Sequence, residues 1–168
     1  HQKYMQDKHP EINTVSYDSY QNAILELKNG RVVIELRPDL APKHIARIKQ
    51  LIADGFYNGL KFHRVIPGFM AQTGCPQGTG YGGTGQKLPA EFSDAPFVRG
   101  TLGMARAMDP NSGDSQFFIT FGDTPHLEGE YTVWGQVIEG MEAIDKVKRG
   151  EPVKDPDSIV SIKLASAA

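Results

Sequence analysis

Eight short runs rich in branched and aromatic residues, with only two helical stripes among them, constrain this chain most. The runs fall at residues 22–27, 31–36, 62–66, 69–73, 101–105, 116–120, 132–137 and 158–164. Residues 42–52 carry one helical stripe, Ile45, Ile48, Leu51 and Ile52, opened by Pro42 and stopped by Gly55. Residues 141–148 carry a second through Met141, Ile144 and Val147. Two helices so far apart do not build repeating β-α-β units. The expected architecture is mainly β, a closed eight-stranded antiparallel barrel capped by two α-helices. Asn29-Gly30, between the first two runs, predicts a tight hairpin of type I′.

At 168 residues the chain is long enough for one domain with a proper core. Residues 21–168 are assigned to that domain. Residues 1–20 are polar and aperiodic and are expected to be a partly disordered extension. With 18 Lys+Arg against 20 Asp+Glu and no basic block, nothing points to nucleic acid. No apolar run reaches the ~20 residues of a membrane span, so no membrane partner is expected. Cys75 is the only cysteine, which excludes an intrachain disulfide. The polar extension and a first residue that is not Met tilt the expected location toward the bacterial periplasm rather than the cytoplasm.

The stretch Phe62-His63-Arg64-Val65-Ile66-Pro67-Gly68-Phe69-Met70-Ala71-Gln72 reads as strand, turn, strand. Alternation puts Phe62, Arg64 and Ile66 on one face, with His63 opposite as a satisfied structural histidine. Arginine is rarely buried unless it is paired or used, so Arg64 on such a face is a candidate for chemistry. Gly78-Thr79-Gly80-Tyr81-Gly82-Gly83 matches a dinucleotide fingerprint by letter, but Lys87-Leu88-Pro89 follows where a helix would be needed. The glycine-rich stretch 74–85 is read instead as a loop whose bare backbone walls a groove. Ser115 lacks the second glycine of a nucleophile elbow, and His44, His63 and His126 lack metal-ligand spacing. No metal or cofactor is expected. Phe69, Met70, Phe118 and Leu127, with Arg64, Gln72 and Gln116, describe a shallow apolar site with a few donors. Such a site suits an extended peptide bearing one apolar ring, of which proline is the obvious case.

Phe62 to Gln72 resembles the signature of the cyclophilin-type peptidyl-prolyl isomerases. Asp114-Ser115-Gln116-Phe117-Phe118-Ile119 resembles their second signature, with the glycine loop between them. The resemblance covers residues 22–164 and implies the same capped barrel. It implies that Arg64 is the catalytic arginine and that Phe69, Met70, Phe118 and Leu127 form the proline pocket. It further implies that Gln72 and Gln116 meet the substrate backbone and that Ala105 is a pocket wall. His126, Tyr131 and Arg106 stand where eukaryotic members often have Trp, His and Asn, a pattern similar to that of bacterial members. They are kept as substrate-binding candidates, and weak cyclosporin binding is expected. The implied activity is rotation about X-Pro bonds during protein folding, without metal, cofactor or covalent intermediate. Its partners would be proline-containing peptides and folding chains, and the expected state is a monomer. A module that binds proline segments without turnover is the alternative.

Overall fold

The computed structural model describes residues 19–166, so most of the segment read as an extension lies outside the described residues. Its last residue, Tyr20, opens the first strand. The element order is β1 (Tyr20–Leu27), β2 (Gly30–Leu36), α1 (Pro42–Ala53), β3 (Arg64–Ile66), β4 (Met70–Thr73), β5 (Thr101–Met104), β6 (Phe117–Thr120), a 3₁₀ turn (Pro125–Leu127), β7 (Val133–Glu139), α2 (Met141–Asp145) and β8 (Ser161–Ser166). All ladders are antiparallel, in the order β3-β4-β6-β5-β7-β2-β1-β8.

The expected closed barrel is corrected in one respect: no ladder joins β3 to β8. The segment between α2 and β8 fills the seam with isolated antiparallel bridges, Lys61 to Ser158 and Val65 to Gly150. Pro152 and Pro156 in that segment have no N–H to give, so a regular strand cannot form there. The second helix ends at Asp145 rather than running to Lys148. The Lys148 N–H instead donates to the Asp157 carboxylate at 2.8 Å, which ties the chain into the seam.

The β1–β2 hairpin forms where Asn29-Gly30 indicated, but the turn differs from type I′. Leu27 pairs with Gly30, so Lys28 and Asn29 are the corner residues, and neither has positive φ. Gly30 takes the positive φ instead, at 142°, after the corner rather than within it.

Strand alternation divides the side chains between two clusters. Val65, Ala71, Leu102, Phe117, Ile119 and Trp134 point into the main core. The α1 stripe, Ile45, Ile48, Leu51 and Ile52, is buried against it as expected. The N-cap of α1, Ala41, has no side-chain acceptor. Glu91 from a distant segment supplies one, accepting from the Lys43 and His44 N–H groups at 3.1 and 2.8 Å and from His44 Nδ1 at 2.6 Å. Burial holds His44 neutral more strongly than Glu91 favours its charged form.

Candidate active site

The site is one row of residues across four strands. In the antiparallel register Arg64 lies opposite Gln72, Gln72 opposite Phe118, and Phe118 opposite Gly103. Residues directly opposite share a face, here the one away from the main core. Met70, Phe97, Phe118, Leu127 and Val133 form a second buried cluster on that face, with Ile66, Phe69, Ala105 and Tyr131 packed against it. Gly103 is needed in this row. A Cβ there would stand 2.6 Å from Phe118 Cζ and 2.8 Å from Phe97 Cε2, closer than packed atoms come. The missing side chain lets the Phe118 and Phe97 rings stack, with centroids 5.8 Å apart. Tyr131 meets Phe118 edge-on at 5.5 Å.

Polar contacts run along the same row. Arg64 Nε donates to Glu151 Oε2 at 2.6 Å and its Nη1 to Gln72 Oε1 at 3.0 Å. Gln72 Nε2 donates to Gln116 Oε1 at 2.9 Å. Gln116 Nε2 donates to the Gly80 and Gly82 carbonyls at 3.0 and 2.9 Å. Among the described residues, Arg64 Nη2 has no hydrogen-bond partner.

A cavity of about 590 Å³ opens over this row. Arg64, Phe69, Met70, Gln72, Ala105, Arg106, Phe118, Leu127 and Tyr131 all line it. Of the candidates from sequence, Gln116 lines the adjoining cavity instead, across the glycine loop. His126 lines neither of these two cavities. The 3₁₀ turn buries Leu127 and leaves His126 exposed, its ring 5.6 Å from that of Phe69. The Arg106 guanidinium is committed locally: it sits 4.7 Å over the Tyr131 ring and donates to the Glu130, Ala107 and Met108 carbonyls.

Sequence reasoning missed Glu151 and Pro152, which line the cavity from the seam. No motif pointed to them. Two expectations about β3 are corrected. Phe62 is fully buried in the main core, not on the Arg64 face, because regular pairing starts only at Arg64. The Phe62 N–H donates to Asp157 O, and Val153 N–H donates to His63 O, so the seam sets the chain direction before the strand begins. The His63 ring differs from the expected satisfied histidine in having no hydrogen bond of good geometry among the described residues, only a weak approach to the Lys61 backbone. It is buried beside the cavity. Burial holds it neutral against a weaker pull from the Lys61 backbone, and the neighbouring Arg64 charge acts in the same sense as burial.

The model of the cyclophilin type peptidyl-prolyl cis-trans isomerase/CLD family matches residues 23–167. The chain belongs to this family. It is 55% identical over 161 residues to a probable peptidyl-prolyl cis-trans isomerase of Brucella suis biovar 1 (strain 1330), covering 85% of this chain and 82% of that one. It is 43% identical over 132 residues to peptidyl-prolyl cis-trans isomerase B of Bacillus subtilis (strain 168), covering 77% and 92%. A cyclophilin type isomerase of Cryptosporidium parvum, crystallised in the presence of the dipeptide Ala-Pro, superposes with a TM-score of 0.81 at 33% identity, over 88% of this chain and all of that one. A cyclophilin of Hirschia baltica gives 0.78 at 28%, over 90% and 80%. Eight antiparallel strands and two α-helices among the described residues match the fold of these cyclophilins. No helix among the described residues is long and apolar enough to cross a membrane.

Within this cyclophilin the glycine loop is fastened at two points. Asp114 accepts from Thr84 N, Thr84 Oγ1 and Gly85 N at 2.9, 2.6 and 2.9 Å. Ser115 Oγ donates to Gly74 O at 2.7 Å, bridging backbone. Cys75 Sγ is buried and accepts from the Gly80 and Gly82 N–H groups at 3.3 Å each. Burial alone would push the Cys75 thiol up. The Gly82, Thr79 and Gly80 donors outweigh it and bring it down to about 7. A thiol lowered on folding adds stability as the pH rises from about 7 into the ordinary thiol range near 8.5, and loses that increment as pH falls again. Thermal melts at pH 6.5 and 8.5 are therefore expected to show a gain for the wild type that Cys75→Ser lacks. Parallel pH profiles in the two proteins would contradict this.

Proposed function

We propose that this chain catalyses cis–trans rotation about X-Pro bonds in peptides and folding protein chains, with Arg64 as its catalytic residue. The observation that carries the reading is an arginine held by two neighbours at the edge of an apolar cavity, with Nη2 left unbonded among the described residues. The Ala-Pro dipeptide present with the Cryptosporidium parvum relative supports proline as the ring that enters.

Rotation breaks amide conjugation, at a cost of about 18–20 kcal/mol. Bringing tens to hundreds of seconds down to milliseconds takes about five decades, or roughly 7 kcal/mol. Only contacts that strengthen at the twisted geometry can supply this. On twisting, the proline nitrogen regains its lone pair and becomes an acceptor, and the Arg64 guanidinium donates to it. The carbonyl loses part of its dipole at the same point, so an apolar pocket disfavours the twisted state less than water does. Phe69, Met70, Phe118 and Leu127 hold the ring. Gln72, Gln116 and the backbone near Ala105 and Arg106 hold the flanking peptide while the acyl side turns. Tyr131 stacks on the ring from the side, steadied by Arg106.

Exchange NMR on an Ala-Pro peptide with substoichiometric protein tests the reading. Cis–trans cross-peaks are expected at rates far above the uncatalysed ones. Saturable binding without acceleration would mean a proline-recognition module instead. With exposed His126 where a Trp often donates to the drug, cyclosporin binding is expected to be weak, and a nanomolar affinity by calorimetry would contradict this.

A further inference from the structure

We propose that Glu151 is a positioning residue for Arg64, a role that rests on the reading of Arg64 given above. A guanidinium on a flexible four-bond stem is fixed in plane only when two of its donors are held in different directions. Arg64 has two such anchors, Glu151 on Nε and Gln72 on Nη1. The Gln72 anchor is itself braced by Gln116 and the glycine loop. Among the described residues, Glu151 is the only anchor on the other side.

Glu151 is well placed for this task although its side chain is 58% exposed. Gly150 and Val65 exchange both backbone hydrogen bonds at 2.8 Å, and Val153 N–H donates to His63 O at 2.9 Å. Glu151 is thus strung between two backbone anchors alongside β3. Its carboxylate makes no other hydrogen bond or ion pair among the described residues. A half-exposed ion pair contributes little to stability, so the contact is to be judged by rate. With Glu151 in place, the guanidinium plane is set and the Nη2 edge is left for the substrate. Without it, the group turns about the single Gln72 bond.

The test compares Glu151→Ala and Glu151→Gln with the wild type, using the Ala-Pro peptide. Glu151→Ala is expected to lower kcat about ten- to a hundredfold, since a misplacement of about 1 Å can cost up to about 100-fold. Its peptide dissociation constant and melting temperature should stay at the wild-type values. Glu151→Gln keeps an acceptor oxygen for Nε–H and should restore most of the rate. The Arg64 Nε–H resonance should be sharp in the wild type and Glu151→Gln and broadened in Glu151→Ala. A wild-type kcat in Glu151→Ala would overturn the proposal. So would a rate loss matched by lost affinity or melting temperature, or a Glu151→Gln variant as slow as Glu151→Ala. Arg64→Ala is run alongside. If it turns over normally, the reading of Arg64 fails; if it is inactive while Glu151→Ala is normal, only the role of Glu151 fails.

Discussion

Arg64→Lys is expected to leave the protein folded and able to bind an Ala-Pro peptide, yet to lower catalysed exchange about 100-fold. Removing one preorganised donor from a developing acceptor costs about that much in other enzymes. Lysine keeps the charge but loses the planar fork and holds its water more tightly. Here the fork matters, because Arg64 gives Nε to Glu151 and Nη1 to Gln72 while a third edge stays unbonded among the described residues. An ammonium group radiates its donors from one atom and cannot keep both anchors and face the substrate as well. Exchange measured at saturating peptide checks this, and near wild-type turnover would mean that charge alone suffices.

Phe118→Ala should have the largest effect on stability, about 3–5 kcal/mol by urea unfolding, as for other buried rings. The Phe118 side chain is buried, stacked on Phe97 and met edge-on by Tyr131. It is also the floor of the cavity, so peptide affinity and turnover should fall together. Gly103→Ala approaches the same ring from behind. Its methyl would overlap Phe118 and Phe97 and push both rings, costing about 1–3 kcal/mol as overpacking does. Gly103 does not line the cavity, so a drop in peptide affinity in this variant would come through the Phe118 ring. Wild-type affinity and stability in Gly103→Ala would show that the ring is not fixed from that side.

Much of the candidate site's grouping is legible because strand alternation builds it. Arg64, Gln72 and Phe118 each sit on short period-two runs, and the register brings them into one row. Residues such as Met70 and Leu127 read as pocket rather than core only in the company of Arg64. What escaped the sequence depends on backbone bonds between distant segments. Glu151 lies 87 residues from Arg64 and reaches it because the seam pairs with β3 through isolated bridges. Such bridges carry no hydrophobic period, and for the same reason the sequence suggested closure by a regular strand. Phe62 departs from the alternation of β3 because the seam and not the sheet directs the residues before Arg64. Asn29-Gly30 marks the hairpin but not its corner, since a glycine can serve after a turn as well as inside it.

The proposed role of Arg64 is to lower the barrier by a bond made only to the twisted proline. It is tested most directly by exchange NMR on wild type and Arg64→Ala at matched, saturating occupancy of the same Ala-Pro peptide. Equal binding is expected, with a fall in on-enzyme cis–trans exchange of about 100-fold or more in the variant. Equal exchange in the two proteins at equal occupancy would contradict it.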